Sequence, residues 1–350
     1  MNQRELFRVD GLPVFQNKIF SNRTKAIDCS RGDIRLIQDM DTGLIFNAAF
    51  DASLLEYDED YQNEQAYSNV FKQHLQTVRE IFQRFFFGKR LIEVGCGKGY
   101  FLEYLNQAGF EIIGIDPAYE GDNPNCVRAC FDKDLGLSGE GIILRHVLEH
   151  IPNPFNFLSD IAIANGGGGK VYIEVPCFDW ICDNSVWFDI YYEHVNYFRL
   201  NDFHRMFGTV FESGHIFGGQ YLYIVADLTT LKKPVMKKSD TFLFPENFLS
   251  NIDRLATLAK GKKNSVWGGA SKGVIFTIYM QRAGVNIDTI IDINPAKQGR
   301  FIAISGLKVS SPEDGLKTLL PNDDIFVMNS NYLNEIIDLS DNQFNYIKVD

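Results

Sequence analysis

The segment EVGCGKG, at residues 93–99, constrains the fold of this chain more than any other feature of its sequence. It lies directly between a strand-like run, RLIEV, and a helix-like run, YFLEYLNQAG. Gly95, Gly97 and Gly99 leave room for a ligand to lie against the backbone at a helix N-terminus. The next strand-like run ends at Asp116, where a carboxylate can accept hydrogen bonds from the hydroxyls of a ribose. The spacing therefore favours a Rossmann-like ligand site over a turn kept only for packing.

Strand-like and helix-like runs continue to alternate after this loop, which predicts a parallel sheet covered by helices on both faces. Later strands are predicted at GIILRHV and KVYIEVP, and one helix is predicted ahead of the sheet, over residues 68–87. After a polar connection at residues 228–262 the alternation restarts with NSVWGG, VIFTIYMQRAG, IDTIIDINP and DDIFVMN. We therefore predict an α/β chain with a small N-terminal domain at 1–75, a central Rossmann-like domain at 76–230 and a second Rossmann-like domain at 231–350.

Charge and apolar content limit the classes of protein to which the chain can belong. Its 350 residues carry a net charge of -11, which argues against nucleic acid as a partner because phosphate binding needs a basic surface. We find no apolar run long enough to span a bilayer and no stretch typical of a signal peptide. We therefore expect a cytoplasmic protein without a membrane partner, and the sequence leaves its oligomeric state open.

Glycine spacing separates two kinds of Rossmann-like site. Dinucleotide sites favour GxGxxG, because a pyrophosphate lies on the helix end, whereas this loop has GxGxG preceded by Glu93. It resembles motif I of the class I methyltransferases, and GIDP, LRHVLEHIPNP and GGGGKVYIEVP are similar to later motifs of that family. The resemblance implies S-adenosylmethionine as the cofactor. The residues that it implies for the cofactor site are Glu93, Gly95, Cys96, Gly97, Asp116, Pro117, Asp132 near the adenine, and Arg145, His146 and Val147 near the methionine end.

A second group of candidate residues lies in WFDIYYEHVNYF, directly after the predicted strand KVYIEVP. Glu193 is adjacent to His194 in the chain, and a glutamate beside a histidine can orient the imidazole and raise its basicity. A nearby tyrosine, Tyr191, can hold an oxygen or share the transfer of a proton. An amphipathic segment whose His and Tyr side chains are satisfied in the core explains the same residues, and both interpretations remain open.

The segments YYEHVNYF, FGGQYLYIVA and VWGGASKG together resemble the three-domain sugar C-methyltransferases, which act on nucleotide-linked 4-keto sugars. This resemblance covers nearly the whole chain and implies a nucleoside-diphosphate keto sugar as substrate, in deoxysugar biosynthesis. It implies that His194 removes a proton beside the carbonyl, so that an enolate attacks the methyl group. The other residues that it implies are Glu193 as orienter or sugar anchor, Tyr191 at the oxyanion, His150 near the keto oxygen, Tyr61 over the sugar, and Tyr192 and Asn196 at the substrate.

One departure from this family concerns zinc. The family's N-terminal domain usually carries a zinc site built from four cysteines in CxxC pairs. Here Asp39 and Thr42 stand where the second pair would fall, and Cys29 alone cannot build a tetrahedral thiolate site. We therefore interpret the N-terminal domain as a degenerate zinc-binding type and predict that the chain binds no metal ion.

A second glycine loop, WGGASKG, also lies between a strand and a helix. Ala270 stands where the dinucleotide motif has its middle glycine, so the match to that motif is weak. One interpretation assigns Gly269, Ser271 and Lys272 to a diphosphate and Asp292 to a ribose. The other keeps this Rossmann-like unit only for packing and for closing the substrate cleft, and the sequence does not choose between them.

Three other functions are compatible with parts of the sequence. An O- or N-methyltransferase of another small metabolite would share the first glycine loop and the later motifs. An NAD-dependent oxidoreductase using the second loop is disfavoured by its missing glycine and by the absence of a Tyr-x-x-x-Lys set. A non-catalytic binding protein is disfavoured because EVGCGKG, GIDP and YYEH are all intact.

Overall fold

A computed structural model describes residues 2–55, 60–62 and 66–350 of the chain. Its N-terminal part contains β1 (Gln3–Pro13), β2 (Ile19–Phe20), α1 (Arg23–Ile27), β3 (Arg31–Asp39) and β4 (Ile45–Asn47). The strands β1, β3 and β4 form an antiparallel sheet in that order. The backbone of β4 also bonds the segment that carries the predicted catalytic residues, since Tyr197 donates its N–H to the Ile45 carbonyl at 2.9 Å.

The central part is built around a seven-stranded sheet, as the alternation of strands and helices predicts. Its elements are α2 (Asn69–Phe85), β5 (Arg90–Val94), α3 (Tyr100–Gln107), β6 (Glu111–Ile115), β7 (Cys126–Val127), β8 (Gly141–Arg145), α4 (Pro154–Ala164), β9 (Lys170–Pro176), α5 (Phe178–Asp183), α6 (Leu200–Met206), β10 (Val210–Ile216) and β11 (Tyr221–Asp227). The strand order is β10-β11-β9-β8-β5-β6-β7, in which β5 to β9 are parallel. The Rossmann-like fold predicted for this part is therefore confirmed.

The last two strands of this sheet, β10 and β11, run antiparallel to their neighbours and were not predicted as a hairpin. The turn between them contains Gly218 and Gly219, both with positive φ, at 66° and 89°. Glycine adopts this backbone region without the steric cost that a side chain would add. The hairpin therefore depends on the two glycines in FGGQYLYIVA, which the sequence analysis used only for a family resemblance.

The helix predicted over residues 68–87 is present as α2, and its first turn explains where it begins. The Ser68 hydroxyl accepts hydrogen bonds from the backbone N–H groups of Val70 and Phe71, at 3.1 and 3.3 Å. This arrangement satisfies donors that have no partner within the helix. Apolar residues of α2 pack together with one face of the central sheet. The helix spans the predicted domain boundary at 75/76, so its first turns belong to the central part.

The C-terminal part is a second, smaller parallel sheet with helices. Its elements are α7 (Asn251–Ala259), β12 (Asn264–Trp267), α8 (Ser271–Arg282), β13 (Thr289–Ile291), β14 (Phe301–Ile302), β15 (Val309–Ser310), α9 (Pro312–Leu316), β16 (Asp324–Val327), α10 (Leu333–Leu339) and β17 (Asn345–Lys348). Five strands pair in the order β15-β13-β12-β16-β17, all parallel. The second Rossmann-like unit is thus also present.

The three parts of the chain also contact one another through strand pairing and apolar packing. The short strand β14 pairs with β2, which ties the C-terminal part to the N-terminal part. One apolar cluster contains residues from all three, among them Leu12, Trp187 and Phe276. The segment after β9 therefore packs with the outer parts of the chain. In the described residues no helix is both long and apolar enough to cross a membrane.

Candidate active site

A cavity of about 380 Å³ lies where the three parts of the chain meet. Both glycine loops and the start of α2 contribute to its lining. Many of the predicted site residues line this cavity: Tyr61, Glu93, Gly95, Cys96, Gly97, Arg145, His146, His150, Tyr191, His194, Ser271, Lys272 and Asp292. The other predicted site residues are not part of the lining: Asp116, Pro117, Asp132, Val147, Tyr192, Glu193, Asn196 and Gly269.

The first glycine loop is held by the end of β6. Asp116 accepts the backbone N–H of Gly97 through Oδ2 at 2.9 Å and that of Ala118 through Oδ1 at 2.8 Å. Its carboxylate therefore shapes the loop, and its contact with a ribose stays a prediction. Val147 also supports the loop, because a side chain at Gly95, where φ is +77°, would collide with it. The close approach explains the need for glycine at this position.

Two other residues implied for the cofactor site lie at the surface beside this loop. Asp132 is exposed and accepts the backbone N–H of Asp134 at 2.9 Å, so it caps a short 3-10 turn. Pro117 is exposed in the turn after β6, where its carbonyl accepts a hydrogen bond from Arg128 at 3.4 Å. Neither side chain reaches the cavity in this structure, because each belongs to a local turn at its rim.

Beneath the cavity, the fully buried carboxylate of Glu174 is the centre of a charged network. Arg145 donates two hydrogen bonds to it, at 3.1 and 3.2 Å, and His74 and the Tyr172 hydroxyl each lie 2.8 Å from it. His146 lies 3.3 Å from the same carboxylate. Burial by itself raises the pKa of Glu174, but Arg145 and His74 lower it well below its usual value. The network therefore contains an ionised acid held by several donors.

His146 occupies an unusual position between two buried acids. Its Nδ1 lies 3.4 Å from Glu149 and its Nε2 lies 3.3 Å from Glu174. Burial lowers the pKa of His146, yet the two carboxylates outweigh that effect and raise it to about 9. The residue also has a left-handed backbone, with φ at 52°, which a non-glycine residue rarely adopts. The imidazole is therefore positively charged at neutral pH on the wall of the cavity.

Sequence analysis missed His74 and Glu174. His74 lies within the apolar face of α2, where it did not stand out from the helical pattern. Glu174 is the single acid in the buried strand KVYIEVP, and an acid in such a strand needs a buried partner. This isolated acid is the feature of the sequence from which the charged network could have been predicted.

A pair of histidines lies in another part of the cavity wall. The rings of His150 and His194 are 4.9 Å apart and nearly perpendicular, and the Tyr191 ring lies 4.1 Å from that of His194. His150 Nδ1 is 2.9 Å from the Glu193 carbonyl, which can only accept, so Nδ1 carries the hydrogen. Burial lowers the pKa of both imidazoles, and His150, His146 and Lys272 lower that of His194 further. Both rings are therefore neutral at neutral pH.

Glu193 does not orient His194, contrary to the interpretation drawn from their adjacency. Its carboxylate is fully buried and accepts the backbone N–H of Gln16 at 3.2 Å, so it anchors the N-terminal part of the chain. Burial raises the pKa of Glu193 to about 8, although hydrogen bonds from Gln16 and Tyr61 oppose this effect. Adjacent residues in this turn point in opposite directions, and adjacency in the chain does not bring their side chains together.

Tyr192 and Asn196 were expected at the substrate, but the structure places both outside the cavity. The Tyr192 hydroxyl accepts the backbone N–H of Asp51 at 2.7 Å, and its ring stacks on Phe50. Asn196 donates through Nδ2 to the carbonyls of Leu148 and Ile151, at 3.1 and 2.7 Å. Asn196 therefore holds the turn that carries His150. Both side chains are satisfied in the interior, which was the alternative interpretation for this segment.

The second glycine loop repeats the geometry of the first. Asp292 accepts the backbone N–H of Gly269 through Oδ2 at 2.8 Å, and Lys297 lies 3.3 Å from the same oxygen. Lys272 pairs with Asp189 at 3.1 Å, and Ser271 donates to Asn17 at 2.9 Å. Gly269 itself packs against Ile290 and Val309 rather than lining the cavity. Two lysines thus line this side of the cavity, Lys272 from the loop and Lys297 from the segment after β13, and both are held by buried acids.

Tyr61 comes from the N-terminal part and lines the cavity near this second loop. Its hydroxyl accepts a hydrogen bond from Asn17 at 3.3 Å, and its ring packs edge-on against Phe15. Asn17 in turn accepts the Ser271 hydroxyl, so it links the N-terminal part to the second glycine loop. Sequence analysis placed Tyr61 over a sugar but did not identify Asn17.

Three side chains of the cavity wall lie close enough together to contact one bound ion or atom. Glu149, His150 and His194 each offer one ligand atom, and these atoms lie within 4.8 Å of one another. A carboxylate oxygen and imidazole nitrogens are ligands that zinc accepts, so these three groups are a candidate site for a metal ion as well as for a hydrogen-bonded atom. That the chain binds no metal ion stays a prediction.

The comparison with known families agrees with the position of the first glycine loop. Residues 65–210 match the family model of a methyltransferase domain. This range covers less than half of the chain and includes α2, both sides of the first loop and the histidine pair. The central part of the chain is therefore a methyltransferase domain of the class that uses S-adenosylmethionine, as the motifs predicted.

Two characterised enzymes are similar to parts of this domain. The C-methyltransferase NovU of Streptomyces niveus is 28% identical over 133 residues, which are 34% of this chain and 32% of NovU. The ubiquinone biosynthesis O-methyltransferase of Aeromonas salmonicida is 27% identical over 106 residues, which are 25% of this chain and 43% of that enzyme. The chain spans less than half the length of either relative in these matches.

Solved methyltransferase structures also match the domain. A SAM-dependent methyltransferase from Archaeoglobus fulgidus has a TM-score of 0.34 and 19% identity, with 46% of this chain and 100% of that chain covered. The plantazolicin methyltransferase BpumL, in complex with a substrate analogue and S-adenosylhomocysteine, has a TM-score of 0.35 and 14% identity, with 47% and 86% covered.

The domain's own residues fit the charge of S-adenosylmethionine. Glu93 is 4% exposed and lines the cavity, and its Oε2 has no hydrogen-bond partner among the described residues. Burial raises the pKa of Glu93 to about 8, and Arg145 only partly offsets this effect. A buried acid without a partner suits a ligand that carries positive groups, and the open space above Gly97 leaves room for it. Glu93, the first loop and His146 would hold this cofactor.

We expect the affinity for S-adenosylmethionine to rise with pH, by up to about 50-fold between pH 6 and pH 8. Glu93 is neutral below its pKa of about 8 and becomes an anion above it. The positive sulfonium and ammonium groups favour the anion, so binding at lower pH has to release the proton. Calorimetry in two buffers with different ionisation enthalpies measures both the affinity and the released proton.

The matched control for this pH dependence is Glu93→Gln, which cannot ionise. The variant should bind with nearly the same affinity at both pH values and release no proton. S-adenosylhomocysteine, which lacks the sulfonium charge, should show a shallower dependence with the unmodified protein. An equally steep rise in Glu93→Gln would assign the pH dependence to another group.

Proposed function

We propose that this chain is an S-adenosylmethionine-dependent C-methyltransferase that acts on a nucleoside-diphosphate keto sugar. The observation that carries the proposal is that one cavity is lined by Glu93, by the neutral pair His150 and His194, and by the second glycine loop. A methyl-donor site, a base and a subsite with two lysines for an anionic substrate would then share one space. Cytoplasmic location and a place in deoxysugar biosynthesis belong to the same proposal.

His194 is the base in this proposal. S-adenosylmethionine supplies a methyl group that is electrophilic because its sulfur is positively charged. A carbon acid beside a carbonyl does not lose its proton rapidly without a base, and a neutral buried imidazole can accept it. His194 is 5% exposed and lies against Tyr191, so bulk water does not compete freely for its free nitrogen. Burial therefore keeps the base unprotonated and close to a bound substrate.

Tyr191 would contact the oxygen of the carbonyl, and His150 would contact a hydroxyl of the substrate. His150 keeps its hydrogen on Nδ1, so its Nε2 can accept a hydrogen bond from that hydroxyl. Burial raises the pKa of Tyr191 well above its usual value, and Asp189 and Glu193 add to that effect. The Tyr191 hydroxyl therefore keeps its proton and can donate it to an oxygen that becomes negative.

The C-terminal part would bind the diphosphate of the substrate. Lys272 and Lys297 line the cavity, and α8 begins at Ser271, so backbone N–H groups at its N-terminus also point toward the cavity. Asn294 is 2% exposed, lines the same space, and its Nδ2 has no hydrogen-bond partner among the described residues. A buried amide donor beside two lysines suits a phosphate oxygen.

Exchange of a substrate hydrogen for deuterium tests this proposal directly. In deuterated water, with S-adenosylhomocysteine in place of the methyl donor, we expect the protein to exchange the acidic C–H of a nucleoside-diphosphate 4-keto-6-deoxyhexose. The exchange should exceed the rate without protein by at least about 100-fold, because a positioned base acts on a carbon acid. Proton NMR measures the loss of one C–H signal and identifies the carbon.

The corresponding sugar nucleotide with a hydroxyl in place of the carbonyl is the control, and it should not exchange. A set of keto sugars that differ in the nucleotide base should show which one the second glycine loop accepts. With S-adenosylmethionine present, the same carbon should gain a methyl group. Methylation at an oxygen, with no exchange at carbon, would contradict the proposal.

O-methylation of another small metabolite is the second candidate function. Its specific support is the similarity of the domain to the ubiquinone biosynthesis O-methyltransferase, which is nearly as strong in identity as the match to NovU. An acceptor hydroxyl that is already acidic needs less help from a base. This candidate therefore predicts only a modest loss of activity when His194 is replaced.

A further inference from the structure

We infer that Glu149 is the acidic partner of His194, and that it stabilises the imidazolium formed when His194 takes a proton from the substrate. The inference rests on the proposed function, because it concerns the base of that reaction. Glu149 would act through His194 rather than on the reacting atoms, so it is a positioning residue. None of the sequence motifs assigned it a role, although it lies within LRHVLEHIPNP.

Burial and missing partners single out Glu149. Its side chain is 1% exposed, yet it lines the cavity, in the 3-10 turn Leu148–His150 that follows β8. Neither carboxylate oxygen makes a hydrogen bond to another described residue, and the contact with His146 is a long one, at 3.4 Å. The positively charged His146 lies on one side of this carboxylate, and the hydrogen-bonding capacity of its two oxygens is left for another donor.

The carboxylate of Glu149 also lies close to the two neutral histidines, His150 and His194. One oxygen of Glu149 lies within 4.8 Å of ring nitrogens of both His150 and His194. Glu193 is adjacent to His194 in the chain, but its carboxylate accepts a hydrogen bond from the backbone N–H of Gln16 instead. The acid that faces the proposed base therefore comes from the turn after β8 and not from the neighbouring position in the chain.

The other groups that face His194 oppose its protonation or are neutral. Burial lowers the pKa of His194 most, and His150, His146 and Lys272 lower it further. Tyr191 and Tyr197 pack against its ring at centroid distances of 4.1 and 6.5 Å. An imidazolium at this position needs a compensating anion, as it does in the catalytic triads where a buried aspartate supports a histidine. Glu149 supplies that anion.

The proton transfer balances without another reactant. The C–H bond of the substrate breaks and an N–H bond forms on His194, while the electron pair stays on the carbon. That pair forms the new bond to the methyl group as the bond from the methyl to sulfur breaks, which leaves a neutral thioether. The proton on His194 leaves to solvent after the product dissociates. Glu149 gains a positive neighbour during the reaction.

Glu149→Gln tests the inference, with Glu193→Gln as the matched variant of the other acid. We expect Glu149→Gln to slow deuterium exchange of the keto sugar by about 100-fold, the lower end of the contribution of general-base catalysis. Proton abstraction should then limit methyl transfer, so kcat should show a larger isotope effect with substrate deuterated at the reacting carbon. Glu193→Gln should leave this isotope effect as in the unmodified enzyme, because its carboxylate does not face His194.

Calorimetry with S-adenosylhomocysteine separates this effect from misfolding or loss of the cofactor site. Glu149→Gln should bind S-adenosylhomocysteine within about threefold of the unmodified protein, and KM for the sugar should change less than kcat. The opposite result would be a variant that loses activity, binds S-adenosylhomocysteine weakly and shows an unchanged isotope effect. That result would assign Glu149 to the cofactor site, where it would act through His146, and would overturn the inference. Full activity of the variant would also overturn it. Absence of exchange by the unmodified protein would instead reject the proposed function, and the inference with it.

Discussion

Replacing His194 with glutamine is expected to lower kcat for methyl transfer by about 1,000-fold, because the reaction loses the base that ionises the carbon acid. Glutamine has a similar size and can still form hydrogen bonds, so the packing against Tyr191 and His150 should be largely kept. Affinity for S-adenosylhomocysteine should change by less than about threefold. Steady-state methylation of the keto sugar, together with calorimetry of the same preparations, measures both effects.

His204→Gln is the matched control for this prediction. His204 is exposed on α6 and contacts the Ser213 hydroxyl at 3.3 Å, far from the cavity lining, so its replacement should leave kcat unchanged. A loss of less than about tenfold in His194→Gln would contradict carbon acid chemistry with this base. It would favour the O-methyltransferase, whose acceptor needs little help in losing its proton.

Glu174→Gln is expected to destabilise the protein by about 3–5 kcal/mol, the usual effect of removing one partner from a buried ion pair. Glu174 is fully buried and accepts hydrogen bonds from Arg145, His74 and Tyr172. A neutral amide leaves the buried guanidinium of Arg145 without its counter-ion, and its NH2 group faces donors instead of an acceptor. Urea unfolding followed by tryptophan fluorescence measures the change, provided that the first transition is assigned to the central sheet.

Glu313→Gln provides the contrast for the stability measurement. Glu313 also forms an ion pair, with Lys317 at 2.6 Å, but 79% of its side chain is exposed. Water and salt screen such pairs, so we expect little change in the urea midpoint. Equal effects of the two substitutions would show that Glu174 does not act as the centre of a buried network.

Several features of this protein followed from local patterns in the sequence. The runs RLIEV, GIILRHV and KVYIEVP predicted the buried strands β5, β8 and β9, because a parallel sheet covered on both faces requires continuous apolar runs. The glycine loop after β5 predicted the Rossmann-like ligand site, and the order of later motifs predicted the methyltransferase class. The restart of the pattern near residue 264 predicted the second unit. Each strand, helix or loop in these patterns is a short run of consecutive residues.

Other features depended on side-chain directions that local patterns do not contain. The sequence suggested Glu193 as the partner of His194, yet the turn between them sends one side chain toward Gln16 and the other into the cavity. Tyr192 was grouped with Tyr191, but its ring lies against Phe50, on the N-terminal part. In an irregular segment no fixed period relates position to direction, so packing against distant residues decides which side chains reach the site.

The sequence thus determined the fold class and, through its resemblance to the methyltransferases, the cofactor class. Only the tertiary structure brought His74 of α2 and Glu174 of β9 together beneath the cavity, and only it placed Glu149 beside His194. Glu174 and His74 are 100 positions apart in the chain. Their contact exists because a buried acid is stable only where several donors converge on it, and that convergence arises when the sheet, the helix and the loops pack.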